Sequence, residues 1–150
     1  MLEVTAAMAV VTALLLLGVH LGKRYVQMQR EQIFLDRLET EWSALQSRAR
    51  LKTGRGQLIF YGQGAGNVRL DLYVQGKRWN EGTSSIPFPS TLRLFADDNV
   101  KQVIVEQSMG GMFADPATVK LVSSLGYEYK VTFEMGWGRL DIKKQVAAGG

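Results

Sequence analysis

Few residues in this chain have side chains suited to catalysis. The 150-residue sequence has one histidine, His20, and no cysteine, so the common pairs of nucleophile and base each lack a member. His20 lies inside an apolar run, where an imidazole packed against its neighbours is more usual than a catalytic base. Asp97 and Asp98 are adjacent, but no third acidic residue or histidine stands close to them, which favours a solvated turn over a metal site. We therefore expect no enzymatic activity, no cofactor and no metal ion.

A glycine-rich segment, residues 62–67, has the composition of a phosphate-binding loop but not its pattern. Its sequence is Gly-Gln-Gly-Ala-Gly-Asn, no helical segment follows it, and the Lys-Ser or Lys-Thr pair of a phosphate-binding loop is missing. Strand-like sequences stand on both sides of it. We therefore interpret the segment as a hairpin turn.

The charge in the most unusual setting is Glu3, at the start of the apolar run from residue 4 to residue 21. About 20 apolar residues, at about 1.5 Å each, allow a helix to cross the roughly 30 Å hydrocarbon core of a bilayer. The run therefore predicts a membrane span. Residues of this span include Val4, Leu14, Leu17 and Leu21. A lone carboxylate near hydrocarbon costs about 2.5 kcal/mol or more unless it is paired, so Glu3 calls for a partner.

Two other kinds of N-terminal segment also contain an apolar run. A cleaved signal peptide would begin with positive charge and end in small residues, whereas here the first charge is negative and residues 22–25 are Gly-Lys-Arg-Tyr. A simple signal anchor, with Glu3 at the level of the lipid headgroups, stays open. Lys23 and Arg24, by the positive-inside rule, would favour a cytoplasmic C-terminal part.

Residues 25–52 predict an amphipathic extension of the same helix. Residues 25–50 contain no glycine or proline and are rich in good helix formers. Apolar residues recur every three or four positions and therefore share one face. The members of this face that we expect to pack on a sheet are Phe34, Leu38, Trp42 and Leu45.

Residues 53–150 alternate apolar and polar side chains and predict an antiparallel β domain. The predicted strands are 57–61, 67–75, 91–96, 102–107, 118–123, 127–135 and 139–143. The last two form a closing hairpin around residues 136–138, and the tail from Val146 is expected to fray. Residues 76–90 are turn-rich and contain Pro87 and Pro89, so we expect a connector there. With the anchor at 1–24, the predicted fold class is α+β.

The overall charge adds little about partners. The formal net charge is +4, and the basic residues are scattered along the sequence, which is typical of a solvated surface. A membrane-tethered DNA-binding module is an alternative function, but it needs a concentrated basic face. The basic residues considered for it are Arg69, Lys77, Arg78, Arg93, Lys101 and Arg139, which are too dispersed in sequence to establish one.

Residues 1–4, Met-Leu-Glu-Val, followed by small and branched apolar residues, resemble the N-terminus of type IV pilins. In that family a short basic leader ends in glycine, and the mature chain starts with Phe-Thr, a hydrophobic pair and a glutamate. Glu3 corresponds to that glutamate. Because the leader, its glycine and the Phe-Thr pair do not precede Met1, either translation begins upstream of Met1 or prepilin peptidase does not process this copy. A processed chain is expected to have a methylated N-terminal residue.

The C-terminal sequence carries a second resemblance. Residues 129–144 are similar to the closing hairpin of the ComGD family of competence minor pilins, which has a Gly-x-Gly-Arg turn between two strands. The corresponding positions are Gly136, Gly138 and Arg139. Residues 117–121, Ala-Thr-Val-Lys-Leu, are similar to a Gly-Thr-Ile-x-x segment that ComGD shares with H-type secretion pseudopilins. The order of anchor, amphipathic helix, strands and hairpin also agrees with a pilin-like fold.

The resemblance implies a structural function. It implies a minor pilin of a competence pilus that helps to initiate or cap assembly during DNA uptake, with the β domain outside the membrane and at the cell surface in the pilus. The implied partners are other major and minor pilins, the membrane, and prepilin peptidase if a leader precedes Met1. Glu3 would pair with the terminal amine of a neighbouring subunit and fix the axial register of the helices. A pseudopilin of a type II-like secretion system is an alternative, and direct contact with DNA stays open.

Overall fold

The computed structural model describes residues 2–62, 66–95, 102–106, 116–134 and 138–147, without the side chains of residues 2, 3, 6, 81, 82, 102 and 103. Helix α1 runs unbroken from Leu2 to Leu51, so the predicted anchor and its amphipathic extension are one helix of 50 residues. At about 1.5 Å per residue it is about 75 Å long. Its second part packs against the rest of the chain.

The end of α1 is closed by a Schellman motif. The Gly54 N–H bonds the Ala49 carbonyl at 2.8 Å, and the Thr53 N–H bonds the Arg50 carbonyl at 3.4 Å. Thr53 adopts the left-handed φ of 49° that this motif requires, although glycine is the usual residue there. Gly54 lies so close to the neighbouring strand that a Cβ would stand 2.7 Å from the Tyr73 carbonyl oxygen. These residues turn the chain sharply from the helix into the first strand.

The β domain is built from two four-stranded sheets. The strands are β1 (Arg55–Tyr61), β2 (Asn67–Val74), β3 (Lys77–Pro87), β4 (Leu92–Phe95), β5 (Gln102–Glu106), β6 (Ala117–Ser123), β7 (Tyr127–Phe133) and β8 (Leu140–Val146). Sheet 1 has the order β3-β2-β1-β5 and sheet 2 the order β4-β6-β7-β8. All paired strands are antiparallel, which confirms the predicted α+β class with a long N-terminal helix on antiparallel sheets.

A single hydrophobic core joins the helix to both sheets. Trp42 of α1 meets Phe133 of β7 edge to face with ring centroids 5.2 Å apart, and Phe133 in turn meets Phe60 of β1 at 6.3 Å. The inward residues of the alternating strands complete this core, among them Leu70, Leu72, Leu121 and Val131. Burial of these side chains, at roughly 25 cal/mol per Å² of apolar surface, is the main term that holds α1 on the sheets.

The expected connector at residues 76–90 is wrong, because most of it is strand β3. β3 pairs with β2 and forms an edge of sheet 1, and Pro87 is its last residue, opposite Asn67. An edge position at a strand end tolerates proline since no ladder hydrogen bond is lost there. The turn-like composition marks a bulge instead: Trp79 lies opposite Leu72 and Ser84 opposite Leu70, which leaves four residues of β3 facing one of β2.

A buried carboxylate stabilises this bulge. Asp71 of β2 is fully buried, and it forms ion pairs with Arg69 at 2.7 Å and with Arg78 of β3 at 3.0 Å. The Thr83 hydroxyl donates to the same carboxylate at 3.3 Å. The hydrogen bonds that the Arg69 guanidinium donates to Asp71 raise the pKa of Arg69. Contacts from three side chains therefore compensate the ladder bonds that the bulge removes.

Several other predictions can be compared with the structure. β1 and β2 pair on either side of the predicted turn at residues 62–67, as a hairpin requires, although residues 63–65 lie outside the described residues; β7 pairs with β8 as the predicted closing hairpin. The expectation that the tail frays from Val146 is wrong at its first residue, since Val146 pairs with Tyr127. The predicted turns at Asp97 and Asp98 and at Gly136 lie outside the described residues.

Candidate membrane anchor and helix–hairpin junction

The first half of α1 projects from the β domain with its apolar side chains uncovered. The predicted span residues Val4, Leu14, Leu17 and Leu21 are each at least 60% exposed. The helix is long and apolar enough to cross a membrane, and none of its most apolar window is buried by the described part of the chain. A soluble domain rarely exposes so large a continuous apolar surface, and such surfaces are typical of segments that contact lipid or other proteins.

Glu3 lies in the first turn of α1 by its backbone, and its side chain is outside the described atoms. Its partner and its role in helix register therefore stay predictions. The helical backbone places residue 3 at the far end of the projecting half, about 30 Å along the helix from Arg24, at about 1.5 Å per residue.

The base of the projecting half is joined to the β6–β7 turn. The Arg24 guanidinium donates to the Leu125 carbonyl at 3.3 Å. Beside this bond is an open hollow of about 390 Å³, lined by His20, Lys23 and Gln27 of α1 and by Ser124 and Leu125. A bilayer around residues 4–21 would place this turn at its surface, with the cationic side chains at the level of the headgroups.

The second half of α1 has the opposite surroundings. Phe34, Leu38, Trp42 and Leu45 are all at most 4% exposed and belong to the domain core. Phe34 meets Phe88 edge to face at 5.3 Å. The spacing in sequence predicts these four residues on one face of the helix, and in the structure that face packs against both sheets.

The closing hairpin is attached to α1 at Gly138. Its carbonyl oxygen accepts a hydrogen bond from Trp42 Nε1 at 2.7 Å and another from Gln46 Nε2 at 2.8 Å. Gly138 has a left-handed φ of 63°, which glycine adopts without the penalty other residues incur. Arg139 is exposed, and its carbonyl accepts the Glu134 N–H at 2.9 Å. Of the three residues of the predicted hairpin motif, the structure therefore describes Gly138 and Arg139, and Gly136 lies outside the described residues.

A buried polar cluster, which the sequence analysis missed, also links helix and sheet. Glu31 is fully buried, and its carboxylate accepts hydrogen bonds from Ser123 Oγ at 2.5 Å and from the Tyr129 hydroxyl at 2.9 Å. Burial and the hydrogen bond to Glu31 raise the pKa of Tyr129 above its ordinary value. The signal was available in the sequence: Glu31 stands three residues before Phe34, on the apolar face of the helix.

The chain offers no metal centre in its described part, where no group of three or more histidines, cysteines or carboxylates converges. No protein-family model, curated protein or solved structure matches this chain. Its function is therefore inferred from the sites described above and from the resemblance in sequence.

Proposed function

We propose that this chain is a structural minor pilin of a competence type IV pilus. Its first helical half anchors it in the cell membrane and then joins a bundle of like helices, with the β domain outside. The subunit helps to initiate or cap the assembly that takes up transforming DNA. The observation that supports this proposal most is the division of one continuous helix into an uncovered apolar half and a half packed on antiparallel sheets.

Assembly depends on the chemistry at the two ends of the projecting half. At the far end, Glu3 would be desolvated among apolar helices, where a carboxylate is stable only when it is paired. A terminal amine of a neighbouring pilin supplies the opposite charge. A slip of one helical turn would separate the pair, so Glu3 fixes the axial register. At the near end, the Arg24 contact and the packed half hold the β domain at a constant height on the helix.

Replacement of Glu3 tests the proposal. We expect Glu3→Ala to abolish pilus assembly and to reduce transformation to the level of a strain that lacks the gene. Glu39→Ala is the matched control, since Glu39 is exposed on the part of α1 that packs on the sheets. Both variants should accumulate in the membrane with an unchanged β domain. Pili and transformation at wild-type levels in Glu3→Ala would contradict the proposal.

A further inference from the structure

Three lysines are aligned across the solvent face of sheet 2. Lys120 of β6 lies directly opposite Lys130 of β7, which lies directly opposite Lys143 of β8. We call these three residues the lysine row. All three side chains are exposed, whereas their neighbours along the strands, such as Leu121 and Val131, point into the core. The row therefore stands on the outer face of the sheet.

The row is unfavourable for the fold by itself. Side chains directly opposite on neighbouring strands have Cβ atoms about 5 Å apart, and like charges in that arrangement destabilise a sheet. Only the outer two lysines are neutralised: Lys120 pairs with Glu128 at 3.7 Å and Lys143 with Asp141 at 3.2 Å. No ion pair joins the central Lys130 to another described residue. Lys130 therefore stands between two ion pairs with no described carboxylate to compensate its charge, and a negatively charged ligand would compensate it.

The neighbours of the row favour a nucleic acid over an acidic protein. Phe95 of β4 lies opposite Lys120 and continues the row; it is 61% exposed, with the Lys120 ammonium 5.7 Å from its ring centroid. An exposed aromatic ring beside cationic side chains is the arrangement on which unpaired bases stack. Protein interfaces are depleted in lysine, whereas lysine is a principal contact to phosphate oxygens.

We propose that the outer face of sheet 2 binds a single strand of nucleic acid. The lysine row contacts successive phosphates of the backbone, and Phe95 stacks on a base. The basic residues first considered for DNA binding are not those of the row; strand register, rather than spacing in sequence, brings the row together. Binding at this site can be measured on the purified full-length chain, so its test does not depend on pilus assembly through Glu3.

The experiment measures binding of a fluorescent oligothymidylate to the full-length protein in detergent micelles over a range of salt concentrations. Each phosphate contact to a single strand contributes about −0.7 to the slope of log K against log salt, so three contacts predict a slope of about −2. Lys130→Gln should weaken binding and reduce the magnitude of the slope by about 0.7, while Lys130→Arg should retain both. Lys77→Gln, on exposed β3, is the matched control and should leave both unchanged.

Further measurements distinguish a nucleic-acid ligand from an acidic polypeptide. Phe95→Ala should weaken binding of the oligothymidylate without changing the salt slope, because a stacked base releases no counterions. Lys130→Gln should keep or raise the unfolding midpoint, since it removes repulsion from the row. Equal effects of Lys130→Gln and Lys77→Gln would overturn the site. Competition by polyglutamate as strong as that by oligothymidylate at equal charge, or unchanged binding in Phe95→Ala, would overturn the assignment to nucleic acid.

Discussion

The first half of α1, residues 4–26, and its second half, residues 31–51, share one backbone but have opposite surroundings. The described side chains of the first half are exposed, and this half meets the β domain at Arg24, whereas the second half buries a stripe of side chains in the domain core. Isolated helices in water are marginal, and most helices depend on tertiary packing. The second half has that packing within the chain. The first half has no such packing within the described part of the chain, and in the proposed function a bilayer or other helices provide it.

The largest expected contrast between the halves is in stability. We expect Trp42→Ala to lower the free energy of unfolding of the β domain by about 3–5 kcal/mol, because it removes a buried ring and opens a cavity beside Phe133. It also removes one of the two donors to the Gly138 carbonyl. Leu14→Ala is the matched change in the projecting half and should leave this free energy unchanged. Denaturant unfolding of the full chain in micelles, followed by circular dichroism, measures the free energy of both variants. Similar losses in Trp42→Ala and Leu14→Ala would contradict the division of α1 into a packed half and a projecting half.

A smaller loss of unfolding free energy is expected at the buried carboxyl group of Glu31 in the packed half. Tyr129→Phe leaves one buried oxygen of Glu31 without its donor, which should cost about 1–3 kcal/mol. Folding raises the pKa of Tyr129 above its unfolded value of about 10. The contribution of Tyr129 to the free energy of unfolding is therefore complete below about pH 10 and is lost as the pH rises from there toward the folded-state pKa. The difference in unfolding free energy between wild type and Tyr129→Phe should therefore stay constant from pH 7 to 9 and shrink above pH 10. A difference that grows above pH 10 would contradict this assignment.

The smallest effect is expected at the end of the packed half, and it is a gain. Thr53→Gly should stabilise the domain by a net amount of about 0.5–1 kcal/mol. Glycine adopts the left-handed φ of residue 53 without the steric cost that threonine incurs. The larger entropy that glycine loses on folding offsets part of this gain. Gly54→Ala is the neighbouring control and should destabilise, since its Cβ meets the Tyr73 carbonyl. Thermal unfolding should therefore show a higher melting temperature for Thr53→Gly and a lower one for Gly54→Ala. A lower melting temperature for Thr53→Gly would contradict the Schellman closure.

Most of the fold was predicted from segments in which apolar residues recur at one constant spacing, either helical or alternating. The three- and four-residue spacing from Phe34 to Leu45 indicated the packed face, and strict alternation indicated β2 and β7. β3 was missed because its bulge has the composition of a turn, and the ion pair between Arg78 and Asp71 that helps to stabilise it joins residues of two strands. The functional surfaces were harder to predict. Lys120, Lys130 and Lys143 are far apart in sequence and become neighbours only through antiparallel register, which no local pattern specifies.

The central claim, that the first half of α1 crosses a membrane with the β domain outside, is tested most directly by cysteine labelling. The chain has no cysteine, so each single substitution provides one reactive thiol. We would label intact cells that express Leu14→Cys or Ser47→Cys with a maleimide that does not cross membranes. The account predicts that Ser47→Cys, on the exposed side of the packed half, is labelled in intact cells and that Leu14→Cys is labelled only after detergent. Labelling of Leu14→Cys in intact membranes, or of Ser47→Cys only after permeabilisation, would contradict it.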